Sequence, residues 1–318
     1  MGVLDQEKAM ELSHKLIGNI EKAFIGKESV VETAALALFA GGHILLEDVP
    51  GVGKTLLAKA IAKSISGVYK RVQFTADLLP TDITGVTVFK QDSGEFTFRK
   101  GPVFTNILLG DEINRATPRT QSSLLEAMEE TQLTVDGIQY NLEPPFFVIA
   151  TQNPIELEGT YPLPFSQMDR FIIRLHIGYL DHKSEEMMLK LQKESMPIKN
   201  LDSVITCRDL MDIQESVRRV RISDELYEYI VSIVRKTREV DFLEYGASPR
   251  GSLDLMRYSQ ARAVLEGRDY ILPDDIKKSA QLVLGHRVIV KKGTRLATSN
   301  SGELGVVDEI VESVNVPV

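Results

Sequence analysis

The sequence has little cysteine and no long apolar segment. Cys207 is the single cysteine among 318 residues, which excludes an internal disulfide framework and a metal cluster built from cysteines. No apolar run approaches the roughly 18 residues that a membrane-spanning helix requires. Residues 1–22 mix acidic and basic side chains at helical spacing, a pattern unlike a secretory signal. We therefore expect no membrane span and a cytoplasmic location.

The sequence also has fewer basic than acidic residues. The chain has 37 Lys and Arg residues against 45 Asp and Glu residues, a formal net charge of −8. This balance argues against a general nucleic-acid binder, because such proteins use basic surfaces to neutralise phosphates. A content of 43% hydrophobic and 26% charged residues is ordinary for a globular protein, and the length corresponds to about two domains.

Short apolar runs alternate with helical patterns in the first part of the chain. The runs of strand length cover residues 43–46, 71–75, 107–110, 146–150 and 171–177. Such alternation predicts an α/β fold with a parallel sheet and helices on both of its faces. Amphipathic spacing predicts helices over residues 6–24 and 30–39, the second preceded by a capping box at Ser29 and Glu32.

Two predicted hairpins and a change to mainly helical patterns complete the organisation of the chain. Turn residues 92–94 predict one hairpin, and Asp136 with the glycine after it predicts a second over residues 133–140. Helical periodicity dominates after Gly178. We therefore place a domain boundary near residues 178–182. Residues 1–180 would form the α/β core with its N-terminal helix and two hairpins, and residues 181–318 a small α-helical domain with a C-terminal tail. Residues 291–301 are predicted to be a loop.

A glycine-containing loop joins the run at residues 43–46 to a helical pattern at residues 56–64. We call it the phosphate loop, and its candidate binding residues are Asp48, Val49, Pro50, Gly51, Val52, Gly53, Lys54, Thr55 and Leu56. A strand, such a loop and Lys-Thr opening a helix form a cradle whose backbone N–H groups face a nucleotide's phosphates. Lys54 is expected to reach the β- and γ-phosphates of ATP, and the Thr55 hydroxyl to ligate Mg²⁺. Asp48 stands where the G-x-x-x-x-G-K-[ST] pattern has its first glycine, and the sequence gives it no role.

Polar residues follow two other predicted strands. Asp111 and Glu112 come directly after the run at residues 107–110. Asp111 is expected to orient the ligand shell of Mg²⁺, and Glu112 to polarise the attacking water as a general base. Asn153 could position that water near the γ-phosphate. The alternative for Asn153 is an Asn-Pro turn in which the side chain bonds its own backbone.

These motifs together resemble the AAA+ ATPases, and more narrowly the MoxR family. Besides the phosphate loop, the motifs that carry the resemblance are Asp111-Glu112-Ile113-Asn114-Arg115-Ala116, Ala150-Thr151-Gln152-Asn153-Pro154, Gly159-Thr160-Tyr161-Pro162-Leu163-Pro164, Met168-Asp169-Arg170-Phe171, Ser248-Pro249-Arg250, Gly285-His286-Arg287-Val288 and Val316-Pro317. The resemblance covers almost the whole chain and implies an AAA+ core followed by a helical lid.

The resemblance also implies roles for particular residues. It makes Asn153 the first sensor of the γ-phosphate and Arg170 the arginine finger that acts on the nucleotide of a neighbouring subunit. A guanidinium in that position is worth roughly 10³–10⁵ in rate. Arg115 and Arg174 stay alternatives for the finger, and a salt bridge with Asp169 stays an alternative for Arg170.

Two further assignments come from the resemblance. Arg250 occupies the second position of a helix that Ser248 caps and Pro249 begins, and it resembles the second sensor, which contacts the γ-phosphate and reports to the lid. Ile25 and Gly26 resemble the segment that contacts adenine. The five histidines lack metal-ligand spacing, so we expect no metal beyond nucleotide-bound Mg²⁺.

The resemblance implies a ring, expected to be a hexamer, that hydrolyses ATP to remodel or mature client proteins. A partner with a von Willebrand factor A domain is expected. Three alternatives stay open: a nucleic-acid-translocating motor, the motor subunit of a metal chelatase, and a nucleotide-binding switch without hydrolysis. The second hairpin has no basic residue, which disfavours the first of these. Phe96 and Phe98 either contact a client protein or pack on their own domain.

Overall fold

The described residues form a five-stranded parallel sheet with helices on both faces. The computed structural model describes residues 4–92, 94–154, 159–194, 197–291 and 302–317. In spatial order the strands are β2 (Tyr69–Gln73), β5 (Ile107–Asp111), β8 (Phe147–Gln152), β1 (Ile44–Glu47) and β9 (Ile173–Leu175). Each neighbouring pair in this order is parallel. The predicted fold class is confirmed.

Alternate residues of the buried strands face opposite helical layers, because successive side chains of a strand point to opposite faces. Ile44 and Leu46 belong to the larger hydrophobic core, which includes the buried faces of α1 (Gln6–Glu21), α2 (Glu28–Phe39) and α3 (Lys54–Ser64). Leu45 belongs to a second core, which includes α4 (Pro80–Thr84) and α5 (Pro118–Glu130). The sheet is therefore buried on both sides.

Two antiparallel hairpins occur where the turn residues predict them. They are β3 (Gly85–Lys90) with β4 (Glu95–Lys100), and β6 (Gln132–Val135) with β7 (Ile138–Asn141). Asp136 and the glycine after it both have positive φ, 52° and 77°, as a two-residue hairpin turn of this twist requires. Phe98 stacks on Tyr140 with ring centroids 4.2 Å apart, so it packs on its own chain. Phe96 is 76% exposed beside Phe89.

The chain beyond Gly178 is mostly helical. After the short α6 (Phe165–Met168) come α7 (His182–Glu194), α8 (Cys207–Arg218), α9 (Asp224–Glu239), α10 (Pro249–Leu265), α11 (Pro273–Leu284) and α12 (Gly302–Ser313), with a two-stranded pair of β10 (Leu243–Tyr245) and β11 (Ile289–Val290). The N-terminal helices pack against this part: the Tyr258 hydroxyl of α10 donates to the Thr33 carbonyl oxygen of α2 at 3.1 Å. The boundary near residues 178–182 stays a prediction. The predicted loop at residues 291–301 lies, except for Lys291, outside the described residues.

Two local predictions at the N-terminal helices are wrong. α2 begins at Glu28, so Ser29 already lies in its first turn instead of forming a capping box with Glu32, and Lys27 precedes the helix without a side-chain cap. α1 ends at Glu21 rather than at residue 24. Within the described ranges, no helix combines the length and apolar character needed to cross a membrane.

Candidate nucleotide-binding site

The phosphate loop connects the end of β1 to the start of α3, as predicted. Gly51 has φ 88° and Gly53 has φ 102°, conformations that favour glycine because it has no Cβ. A Cβ placed on Gly53 would also lie 3.0 Å from a ring carbon of Phe24. Lys54 is the first residue of the eleven-residue α3. The unpaired N–H groups at the start of this helix form a place where an anion can bind.

Lys54 is half-buried, and its ammonium points back along the loop. Nζ donates to the backbone carbonyl oxygen of Asp48 at 2.7 Å. Burial lowers the pKa of Lys54, whereas the carboxylates of Asp111, Asp48 and Glu112 act in the opposite direction. The candidate phosphate-binding lysine and the two candidate acids therefore lie in one electrostatic environment.

Asp111 and Glu112 are held by residues from both neighbouring strands. The Thr151 hydroxyl of β8 donates to Asp111 Oδ1 at 2.7 Å and accepts from the Glu112 backbone N–H at 2.9 Å. From β2, Arg71 Nη2 lies 2.5 Å from Asp111 Oδ2, and Gln73 Nε2 donates to Glu112 Oε2 at 2.7 Å. Sequence reasoning missed these three supporting residues. Gln73 and Thr151 lie at or near the ends of neighbouring strands, which was the signal that could have found them, whereas Arg71 lies in the middle of β2.

Asn153 directly follows β8, which lies between β5 and β1. The residue is only 5% exposed, and its carbonyl oxygen lies 3.5 Å from Nδ2 of Asn114. The preceding Gln152 donates through Nε2 to Glu47 Oε1, at the end of β1, at 2.7 Å. Since the carboxyl ends of parallel strands meet at one edge of a sheet, Asn153 lies at the same edge as the two acids and the phosphate loop.

A cavity of about 480 Å³ opens beside the phosphate loop. The cavity is lined by residues of the loop, by Ile25 and by apolar residues that follow β9, among them Tyr179, Leu180 and Met188. An apolar cleft next to a polar cradle suits a nucleoside. Gly26 does not line the cavity but packs against α7, where a Cβ would come within 2.4 Å of a side-chain atom of Ser184. The residues after β9 were missed, because nothing in their local pattern distinguishes a binding wall from an ordinary apolar helix face.

Arg170 and Arg250 share one carboxylate at the opposite edge of the sheet. Arg170 Nη2 lies 3.1 Å from Glu129 Oε2, and Arg250 Nη1 lies 3.2 Å from Glu129 Oε1. The carbonyl oxygen of the adjacent Met128 lies 3.1 Å from Nε2 of His43, which precedes β1, whereas the phosphate loop follows β1. Arg250 therefore lies away from its own chain's phosphate loop in this structure, and its contact with a γ-phosphate stays a prediction.

The two alternatives for the arginine finger, Arg115 and Arg174, lie at the candidate nucleotide-binding site of their own chain. Arg115 Nη1 is 3.3 Å from Glu112 Oε2, and Arg174 Nη1 is 3.3 Å from Glu47 Oε2 at the end of β1. Asp169, the alternative partner considered for Arg170, pairs instead with Arg287.

Arg287 is 1% exposed, and its guanidinium joins three parts of the chain. Nε donates to Asp169 Oδ1 at 2.8 Å, while the two terminal nitrogens reach four backbone carbonyl oxygens and Asp254 Oδ2. Burial raises the pKa of Asp254, and the charge of Arg287 acts against that rise. Asp169 Oδ2 also accepts from the hydroxyl of Ser248, which caps α10. This network fixes the segment before β9 against the start of α10, and these two segments carry the paired arginines.

Several known proteins are similar to this chain over most of their length. Residues 43–173 match the family described as "ATPase family associated with various cellular activities (AAA)", and residues 235–312 match the "AAA lid domain". The uncharacterised protein YeaC of Bacillus subtilis is 48% identical over 313 residues, which cover 98% of this chain and 97% of YeaC. Chaperone MoxR1 of Mycobacterium tuberculosis is 36% identical over 312 residues, which cover 95% of this chain and 82% of MoxR1. The crystal structure of a candidate ATPase from Cytophaga hutchinsonii superposes with a TM-score of 0.89 at 37% identity and covers 98% of both chains.

A parallel sheet with a phosphate loop after one strand, two acids after another and a helical lid defines an AAA-type P-loop protein. Because the similarity to a MoxR protein extends over almost the whole sequence, this chain belongs to the MoxR family of AAA+ ATPases.

Proposed function

We propose that the chain hydrolyses ATP with Mg²⁺ at the carboxyl edge of its sheet. The observation that supports this proposal is the convergence of Lys54, Asp111 and Glu112 beside a cavity with room for a nucleoside. The Thr55 hydroxyl in the first turn of α3 and the Asp111 carboxylate offer the hard oxygen ligands that Mg²⁺ prefers. Bound there with ATP, Mg²⁺ would neutralise charge on the β- and γ-phosphates.

The side chains at this edge have separate tasks in the proposed reaction. Lys54 exchanges its bond to the Asp48 carbonyl oxygen for bonds to phosphate oxygens. Glu112 accepts a proton from the attacking water, while its backbone N–H, bonded to Thr151, keeps it at the end of β5. Asn153 orients that water through its amide.

A neighbouring copy supplies the remaining positive charge. Arg170 and Arg250 lie at the opposite edge of the sheet from their own phosphate loop and are both paired with Glu129. They can therefore complete the site of an adjoining subunit, and a contact of this head-to-tail kind closes into a ring when its rotation allows. We expect a hexamer, with Arg170 stabilising charge on the transferring phosphate and Arg250 sensing the nucleotide.

The proposed cycle of ATP binding and hydrolysis would act on other proteins. MoxR1, a relative over 95% of this chain, is named a chaperone, and on that basis we propose that the ATPase remodels or matures client proteins. A von Willebrand factor A domain protein is the expected partner, and a cytoplasmic location stays a prediction. Phe96, which is largely exposed on the first hairpin, is a candidate client contact.

Mixing two inactive variants tests the shared site. Lys54→Ala should lose ATP binding, and Arg170→Ala should bind ATP without turnover. In a one-to-one mixture, about a quarter of the interfaces would join an intact loop to an intact finger, so phosphate release should recover to about that fraction of the wild-type rate. A double variant carrying both changes should rescue neither single variant. Recovery that is no greater in the mixture than with the double variant would refute the shared site.

A further inference from the structure

Asp48 accepts hydrogen bonds from backbone groups that are far apart in sequence. Its Oδ1 accepts from the Val49 N–H at 2.9 Å, and its Oδ2 accepts from the N–H groups of Ile177 and Gly178, each at 2.7 Å. Asp48 and Ile177 are 129 positions apart. One carboxylate thus joins the first residue of the phosphate loop to the chain immediately after β9.

The segment that Asp48 holds is part of the cavity wall. Gly178, Tyr179 and Leu180 line the cavity beside the phosphate loop, and α7, which follows them, contributes Met188. The carbonyl oxygen of Asp48 meanwhile accepts from Lys54 Nζ. The same residue therefore touches the group that would bind phosphate and the backbone that begins the apolar wall.

A carboxylate in this position has an electrostatic disadvantage. A negative charge beside a phosphate cradle repels the anion that the cradle binds, and the usual residue at this place in the pattern is glycine. Asp48 is 9% exposed, and three N–H groups satisfy its carboxylate. Charge repulsion alone predicts that removing the carboxylate strengthens phosphate binding, whereas a structural tie to the cavity wall predicts that nucleoside binding becomes weaker.

We propose that Asp48 is a positioning residue that couples the phosphate loop to the wall of the nucleoside cavity. This inference rests on the proposed binding of ATP at the loop. Phosphate entering the loop draws Lys54 away from the Asp48 carbonyl oxygen, and the carboxylate transmits the resulting movement of residue 48 to Ile177 and Gly178. The wall then closes on the base only when the loop holds phosphate.

Comparing ATP with inorganic tripolyphosphate isolates the coupling, because tripolyphosphate has no base to contact the wall. Asp48→Ala should raise the Kd of ATP by about tenfold or more, the loss expected for hydrogen bonds to a charged group, and leave the Kd of tripolyphosphate unchanged or lower. Asp48→Asn, whose amide oxygen can still accept from Ile177 and Gly178, should recover part of the ATP affinity. Asp181→Asn is the matched control: Asp181 caps α7 through Ser184 on the same segment, and this variant should keep the wild-type ratio of the two Kd values.

Hydrogen exchange of the wild-type protein tests the same coupling without a substitution. Tripolyphosphate alone should slow amide exchange in peptides that contain Ile177 and Gly178, and the Lys54→Ala protein should show no such change. Equal weakening of ATP and tripolyphosphate by Asp48→Ala, or no weakening of ATP, would overturn the inference, as would unchanged exchange in the wild-type protein with tripolyphosphate bound. Wild-type protein that binds neither ligand would instead overturn the proposed function itself.

Discussion

Protonation of one buried histidine should link the stability of this protein to pH. His43 precedes β1, and its Nδ1 accepts from the Val148 backbone N–H at 3.1 Å. Its Nε2 therefore carries the proton and donates to the Met128 carbonyl oxygen at 3.1 Å. A second proton would have to sit on Nδ1, facing the Val148 N–H. Burial lowers the pKa of His43 from 6.5 to about 4, and the nearby charge of Arg250 also lowers it, against the effect of the Met128 bond.

The magnitude follows from the two pKa values. The unfolded chain binds a proton at His43 below pH 6.5, whereas the folded chain does not bind it until about pH 4. The neutral His43 therefore contributes its full stabilisation to the folded state above pH 6.5. This stabilisation is lost progressively as the pH falls toward 4. At about 1.4 kcal/mol for each pH unit, the loss at the acid end is about 3 kcal/mol.

Urea unfolding of matched proteins measures this linkage. Between about pH 7 and pH 4, the free energy of unfolding of the wild-type protein should fall by about 3 kcal/mol more than that of His43→Gln, which cannot take up the proton. The His14→Gln protein is the control, since His14 is exposed on α1, and its curve should run parallel to that of the wild type. Parallel curves for His43→Gln and wild type would refute the reasoning.

Two further predictions concern the site and its support. Glu112→Gln should bind ATP with near wild-type affinity but release phosphate about 10²–10⁴-fold more slowly, because the general base is lost. The control is Glu312→Gln, on the exposed side of α12, which should match the wild type. Normal turnover of Glu112→Gln would show that another group activates water. Arg287→Met should lower the free energy of unfolding by about 3–5 kcal/mol, since it leaves the buried Asp254 carboxylate without its partner. Adding Asp254→Leu should restore part of that loss in urea unfolding, and a cost below about 1 kcal/mol for Arg287→Met would contradict the role of the buried pair.

Local sequence patterns were sufficient to predict the sheet and the phosphate loop. A strand followed by a glycine loop and Lys54, or by Asp111 and Glu112, is a feature of a few neighbouring residues, and the parallel order of strands places these ends at one edge. The capping box at Ser29 was wrong, because a spacing of a few residues fits several starting points, and α2 begins one residue before Ser29.

The sequence by itself determined the sheet, the phosphate loop and the acids opposite Lys54, because those features depend on spacings of only a few residues. The tertiary structure alone decided that Arg170 and Arg250 share Glu129, that Arg287 lies buried between Asp169 and Asp254, and that Asp48 holds a backbone segment 129 positions away. Charged side chains of this kind follow no periodicity, and their partners are chosen by how the helices and strands pack in three dimensions.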